Sequence, residues 1–272
     1  MGLLPYYPVM FVLSILAGAG NSVFHPCDYS IMNATISESR MARAFSFHMF
    51  GGYFGYAVAP LAMTALGTYV GWRAAIVLAG IVGLLVFAIL WGGSRDFRDS
   101  SDERKESGLG SETLGDSIRM LITLPILFCW VFFLLVAMGQ IGLQTFAPTL
   151  LNDIYGLDLE IGGAFVTVML FAVTIGVLVG CYLADHVHKP DQVVLFGYSA
   201  ASIVIVVLWR FELSIMEHYI AFAAIGFMYG VVFPARELLV RAATPKGASG
   251  RVFGFVYSGM DFGSASTPIL FG

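Results

Sequence analysis

The chain is a succession of long apolar segments separated by short polar connections. A helix needs about 20 mainly apolar residues to cross the hydrocarbon core of a bilayer. The composition agrees with membrane insertion, because 58% of the residues are hydrophobic and only 12% are charged. The pattern predicts an all-α polytopic membrane protein with eight transmembrane helices. Their approximate limits are Pro8–Ala34, Ala44–Val70, Ala74–Trp91, Met120–Thr145, Ile161–Leu183, Gln192–Trp209, Tyr219–Leu239 and Val252–Phe271.

One connection, residues 93–118, is long and charged. Its run SRDFRDSSDERKESGLGSETLGD predicts a solvated linker between two helical parts. The first part, residues 1–92, then holds three helices, and the second, residues 119–272, holds five. Lys and Arg concentrate on the linker's side of the membrane, which the positive-inside rule assigns to the cytoplasm. We expect a cytoplasmic linker and the cytoplasmic membrane of a bacterium or archaeon.

An internal duplication relates the two parts. Residues 18–60 align without a gap to residues 226–268, so the first and second helices correspond to the seventh and eighth. One repeat therefore spans six helices, and two repeats make twelve, as in many secondary transporters. We expect the chain to be a fragment lacking about three helices before its first residue and about one after its last. Matching pairs include Gly18 with Gly226, Pro26 with Pro234, Arg43 with Arg251, Gly55 with Gly263, and Pro60 with Pro268.

Three segments resemble the major facilitator superfamily, and most closely its fosmidomycin resistance protein group. They are GAGNSVFHP from Gly18, GGYFGYAVAPL from Gly51, and GCYLADHVHK from Gly180. The resemblance implies the fourth to eleventh helices of two six-helix bundles related by a pseudo-twofold axis, which transport by alternating access. In the third segment Asp185 fits the superfamily's loop motif, whereas Gly180 stands one residue early. The resemblance implies a gating role for this loop.

The second helix and its duplicate each carry glycines followed by a proline. This partly matches the glycine motif of exporters in the same superfamily, although Ala59 replaces one glycine. Glycines four residues apart also let helices pack closely in membranes. Efflux and simple close packing both stay open as explanations. The residues concerned are Gly51, Gly55 and Pro60, with Gly259, Gly263 and Pro268.

Polar residues on the first helix are candidates for function. Asn21, His25 and Asp28 are spaced to share one face. An ionisable group inside a bilayer costs at least a few kcal/mol unless it is paired or hydrated. Asp28, with His25, either binds and releases a coupling proton or forms a structural hydrogen-bonded pair.

Asp261 lies on the eighth helix, ten residues beyond Arg251. At about 1.5 Å per residue it comes near mid-membrane. Its counterpart in the other repeat is Tyr53. Asp261 is interpreted as a proton carrier or a ligand for a cationic substrate, with a structural hydrogen bond as the alternative.

Basic residues mark the cytoplasmic end of the repeats. Arg43 and Arg251 are repeat partners at that boundary, and Arg236 aligns with Asp28. Arg236 either forms an ion pair between the two parts that closes the cytoplasmic side or reaches the lipid headgroups.

Gln140 and Gln144 lie one turn apart on the fourth helix. Their amides either hydrogen-bond a polar substrate or join neighbouring helices.

Signatures of other functions are absent from the sequence. It contains no Walker loop, no H-E-x-x-H and no dinucleotide fingerprint. We therefore expect no enzyme, no cofactor and no metal site. With a net charge of −4 and no basic cluster, nucleic acid is not an expected partner.

The favoured function is proton-coupled transport of a small molecule, with efflux as the preferred direction. The expected partners are the substrate, protons and the lipid bilayer. Alternatives are a transporter-like sensor or receptor, an uptake permease for a small organic solute, and a membrane enzyme built on Asp28, His25 and Asp261.

The charge distribution makes a topology prediction. A reporter fused within residues 95–116 should report cytoplasm, and one near Asp153 should report the outside, because Lys and Arg remain on the cytoplasmic side. Activity of paired phosphatase and fluorescent-protein fusions measures this. The opposite pattern would contradict both the orientation and the helix count.

Overall fold

The computed structural model describes residues 6–94, 114–186 and 189–272, and this part of the chain is helical, with no strand. The all-α membrane architecture predicted from the sequence is confirmed. Residues 95–113, most of the predicted linker, lie outside the described residues. The helices are α1 Tyr7–Ser22, α2 Phe24–Thr35, α3 Glu38–Val70, α4 Trp72–Gly93, α5 Leu114–Leu121, α6 Leu124–Tyr155, α7 Leu159–His186, α8 Pro190–Arg210, α9 Ile215–Ala243 and α10 Ser249–Phe271.

Seven stretches of the described residues are long and apolar enough to cross a membrane, compared with eight predicted. The eighth predicted stretch does form helix α10. Its glycines, serines and Asp261 lower its hydropathy, so it is not among these seven. The short helix α5 includes the end of the predicted linker.

The first predicted helix is divided at Val23 into α1 and α2. Pro26 has no N–H to donate to the carbonyl one turn earlier, which accounts for the break. Its repeat partner Pro234 lies inside the continuous helix α9.

Helix α9 is the centre of the second helix group, α5 to α10. It packs against α7 and α8, and most of its membrane-spanning surface is buried. Glycines bring α7 and α9 into backbone contact, because a Cβ on Gly176 would lie 2.2 Å from the carbonyl oxygen of Phe227. A Cβ on Gly180 would lie 2.4 Å from the carbonyl oxygen of Val231, so this loop-motif residue is in a packing position.

The first helix group, α1 to α4, contacts the second through α2 and α3. Helix α3 packs on α7 and α9, and helix α2 packs on α10. Where α2 meets α10, Tyr29, Phe253 and Phe45 of α3 are fully buried, and the rings of Tyr29 and Phe253 stack with centroids 4.5 Å apart. We call these three residues the aromatic layer.

The duplicated glycines have different surroundings in the two repeats. A Cβ on Gly259 or Gly263 would lie 2.5 Å from the carbonyl oxygen of Trp130 or 2.4 Å from that of Leu134, so α10 and α6 are in close contact. At Gly51 and Gly55 a Cβ would meet no described atom within 4 Å. No described helix packs on that face of α3, so close packing at Gly51 and Gly55 stays a prediction. Pro268 lies inside α10, and the side chain of Pro60 is outside the described residues.

The glycine asymmetry predicts different costs for the same substitution. Gly263→Ala should destabilise the protein by about 1–3 kcal/mol, because the new methyl group meets backbone that cannot move aside. Gly55→Ala, at the matching repeat position, should be neutral or slightly stabilising, since Ala favours helix by about 1 kcal/mol over Gly. Thermal unfolding in detergent compares the two. Equal losses of stability would contradict the asymmetry.

Candidate functional site

A cavity of about 230 Å³ with both polar and apolar walls lies between the two helix groups. This is below the usual volumes of small-molecule sites, which run from about 300 Å³ upward. Residues from both groups line it, so the cavity depends on how the groups meet. Its polar lining includes Asn21, His25, His48, Tyr53, Tyr56, Gln140, Gln144, Arg236, Tyr257, Asp261 and Ser264.

A larger hollow of about 1090 Å³ lies between residues 33–37 and residues 241–249, at one end of the helices. The aromatic layer stands between the hollow and the cavity. On α2, Tyr29 lies between His25 of the cavity and Asn33 of the hollow. On α10, Phe253 lies between Ser249 of the hollow and Tyr257 of the cavity.

The predicted polar face of the first helix is found at the cavity. Asn21 and His25 line the cavity, and Asp28 continues the same face one turn further. The Nδ1 atom of His25 lies 3.7 Å from Oδ2 of Asp28. His48 of α3 comes closer still, with Nε2 3.0 Å from that oxygen. No local spacing in the sequence joins His48 to Asp28.

Arg236 lies at the cavity wall, and its charge is paired within α9. Arg236 is 2% exposed, and its Nη2 lies 2.9 Å from Oε1 of Glu237, which is fully buried. The guanidinium also stands over the rings of Phe133 and Phe233, 4.4 and 4.6 Å from their centroids. The structure therefore corrects both sequence interpretations of Arg236, since it neither bridges the two parts nor reaches headgroups. The cause is the central position of α9, which turns this side chain inward.

Tyrosines connect this buried pair to the other helix group. The Tyr257 hydroxyl donates to Oε1 of Glu237 at 3.0 Å, and it lies 2.6 Å from the Tyr29 hydroxyl of α2. The second carboxylate oxygen of Glu237 has no hydrogen-bond partner among the described residues. Sequence analysis missed Glu237, Tyr29 and Tyr257 as members of one network. A carboxylate inside an apolar run was the available signal.

Asp261 lies on the open side of the cavity and forms no hydrogen bond or salt bridge with the described residues. Its repeat counterpart Tyr53 lines the same cavity from α3. Gln140 is buried and adjoins Tyr53, and Gln144 lines the wall one turn along α6. The proposed cavity residues of α6 and α10 thus share one space.

Of the residues predicted to gate, Arg236 lines the cavity, whereas Arg43 and Arg251 do not. Arg43 is exposed on α3 and Arg251 of α10 donates to the Ser117 hydroxyl of α5. Asp185 belongs to α7, but its side chain is outside the described residues. Arg251 therefore joins α10 to the last residues of the predicted linker.

Comparison with known proteins gives one match. A family model described as Major Facilitator Superfamily matches residues 1–268. No curated protein and no solved structure matches the chain.

The tyrosine network predicts a loss of stability on removing one hydroxyl. Tyr257→Phe should lower the free energy of unfolding by about 1–3 kcal/mol, because Glu237 loses a buried donor. Tyr229→Phe is the matched control, since this buried tyrosine forms no side-chain hydrogen bond in the described structure. Thermal melts in detergent measure both variants. A Tyr257→Phe protein as stable as the control would contradict the network.

Proposed function

The chain belongs to the Major Facilitator Superfamily of membrane transporters for small molecules, and we propose that it transports its substrate by alternating access through the central cavity. The observation that carries this proposal is the position of the cavity. Its polar walls come from both helix groups, so a change in their relative orientation alters access to it.

The aromatic layer separates the cavity from the larger hollow, as expected of a transporter that is closed on that side. Tyr29, Phe45 and Phe253 fill the space between the cavity and the larger hollow. In the orientation predicted from Lys and Arg, the hollow faces the cytoplasm. Opening of the cavity to that side requires the Tyr29 and Tyr257 hydroxyls to separate. Substrate release would then follow from parting of α2 and α10.

The lining favours a small polar substrate. Asn21, Gln140, Gln144 and Tyr53 offer both donors and acceptors, and the small volume excludes large molecules. The positive charge of Arg236 is already paired with Glu237. Asp261 is therefore the charged residue of the cavity lining that remains open to a substrate. A small polar molecule that carries a positive charge is the substrate class that this lining suits.

We assign proton coupling to Asp261. A carboxylate in the membrane that lacks a fixed partner can exchange a proton with the cavity at low structural cost. Efflux remains our proposed direction, on the strength of the glycine motif alone, and the fosmidomycin resistance protein group is the proposed subgroup. A sensor that binds without transporting and an uptake permease are the alternatives.

Vesicle experiments separate these functions. Proteoliposomes with an imposed proton gradient should concentrate a small cationic solute, and a protonophore should abolish that accumulation. Binding without accumulation in either direction favours the sensor, and the direction of accumulation relative to the gradient distinguishes efflux from uptake.

The coupling assignment makes a prediction for Asp261→Asn. The variant should lose gradient-driven accumulation but keep substrate exchange, because exchange needs alternating access and no net proton release. Asp153→Asn, which removes an exposed carboxylate outside the cavity, is the matched control and should keep both activities. Accumulation and exchange are measured side by side in proteoliposomes. An Asp261→Asn protein that still concentrates substrate would eliminate Asp261 as the proton carrier.

A further inference from the structure

Two histidines and one aspartate on neighbouring helices come together beside the cavity. His25 and Asp28 belong to α2, and His48 belongs to α3. One nitrogen from each imidazole and one oxygen from the carboxylate all lie within 4.8 Å of one another. Imidazole and carboxylate groups are the usual ligands of Zn²⁺ and related ions.

The separations fit a shared ion. Bonds of about 2.0–2.1 Å to a tetrahedral centre place any two ligand atoms about 3.3 Å apart. Oδ2 of Asp28 lies 3.0 Å from Nε2 of His48 and 3.7 Å from Nδ1 of His25. Both distances lie within a few tenths of an ångström of that value. The two imidazole nitrogens lie within 4.8 Å of each other, so binding of an ion would draw the two rings together.

Two of the three proposed ligand atoms form no hydrogen bond that a metal ion would have to replace. Nδ1 of His25 and Oδ2 of Asp28 are buried and have no hydrogen bond of good geometry. The other oxygen of Asp28 accepts the backbone N–H of Tyr29 at 2.7 Å, which orients the carboxylate. The His25 ring packs on Tyr257 with centroids 4.7 Å apart, and the His48 ring stacks on Phe24 at 6.3 Å. These contacts restrict both imidazoles.

We propose that His25, Asp28 and His48 bind a divalent transition-metal ion of the zinc class, with the fourth coordination position open to the central cavity. Two imidazoles and one carboxylate suit Zn²⁺, Co²⁺ and Ni²⁺ better than Mg²⁺ or Ca²⁺, which prefer oxygen ligands. His25 and His48 line the cavity, so the ion would enter the site through the cavity. A further ligand of the ion would reach the open coordination position by the same route. The proposal departs from the sequence expectation of no metal site, because the three ligands come from two helices. It does not depend on transport.

The competing explanation is a pair of imidazole–carboxylate contacts that join α2 to α3 without an ion. Under both explanations, removing His25, Asp28 or His48 destabilises the protein. Only a metal site also binds an ion in a fixed stoichiometry and with a distinct coordination geometry.

Cobalt reports that geometry directly. Purified protein in detergent, titrated with Co²⁺, should bind one equivalent and show the strong visible absorption of tetrahedral cobalt. Added Zn²⁺ should displace the cobalt, because such sites bind zinc more tightly. His48→Ala should weaken binding at least about 10-fold, since even loss of an outer-sphere partner costs that much. His186→Ala removes an exposed histidine at the end of α7 and should leave binding unchanged.

A second variant keeps the proposal testable if His48→Ala does not fold. In His25→Cys a thiolate replaces the imidazole; its sulfur lies closer to the backbone than Nδ1 does, and the longer metal–sulfur bond makes up part of that distance. A folded His25→Cys protein should show a thiolate-to-cobalt charge-transfer band in the near ultraviolet. Three results would each overturn the proposal: only the weak octahedral absorption with the unmodified protein, unchanged affinity in His48→Ala, or cobalt bound as tightly by folded His25→Cys with no charge-transfer band. Loss of binding in His186→Ala would assign the ion to the surface and would overturn it too.

Discussion

The arrangement of the helices depends on one buried ion pair. Arg236 and Glu237 are excluded from water at the centre of the second helix group, where an unpaired charge would cost several kcal/mol. Their mutual contact leaves hydrogen-bonding capacity that Tyr257 meets in part, and Tyr257 in turn contacts Tyr29 of the first group. The hydrogen bonds around this ion pair therefore extend across the junction between the two helix groups.

Close packing is distributed unequally between the two repeats. In the second repeat, glycines let α7 meet α9 and α6 meet α10 with backbone in contact, which fixes the walls of the cavity on that side. In the first repeat, α1 and α4 leave large apolar surfaces exposed, and Gly51 and Gly55 have open space beside them. The second group is thus the better packed framework, and the first group supplies His25, His48 and Tyr53 to the shared cavity.

The cavity holds two polar regions of different character. Asp261 forms no hydrogen bond with the described residues, and we propose that it exchanges a proton or contacts a cation. His25, Asp28 and His48 are already gathered, with their rings restrained by aromatic neighbours, and so suit a ligand that needs fixed geometry. An ion held there with an open coordination position would face the same space as Asp261. The two proposals assign one region to coupling and the other to coordination.

The sequence by itself determined the helical membrane fold, because the length and apolarity needed to cross a bilayer are properties of each segment alone. Polar residues inside the predicted helices were candidates for the cavity, and Asn21, Gln144 and Asp261 line it. What only the tertiary structure decided was pairing between helices. The approach of His48 to Asp28, the link from Tyr29 to Glu237, and the difference between Gly55 and Gly263 all depend on how each helix is rotated against its neighbours. That rotation is set by packing of whole surfaces, which no local spacing encodes.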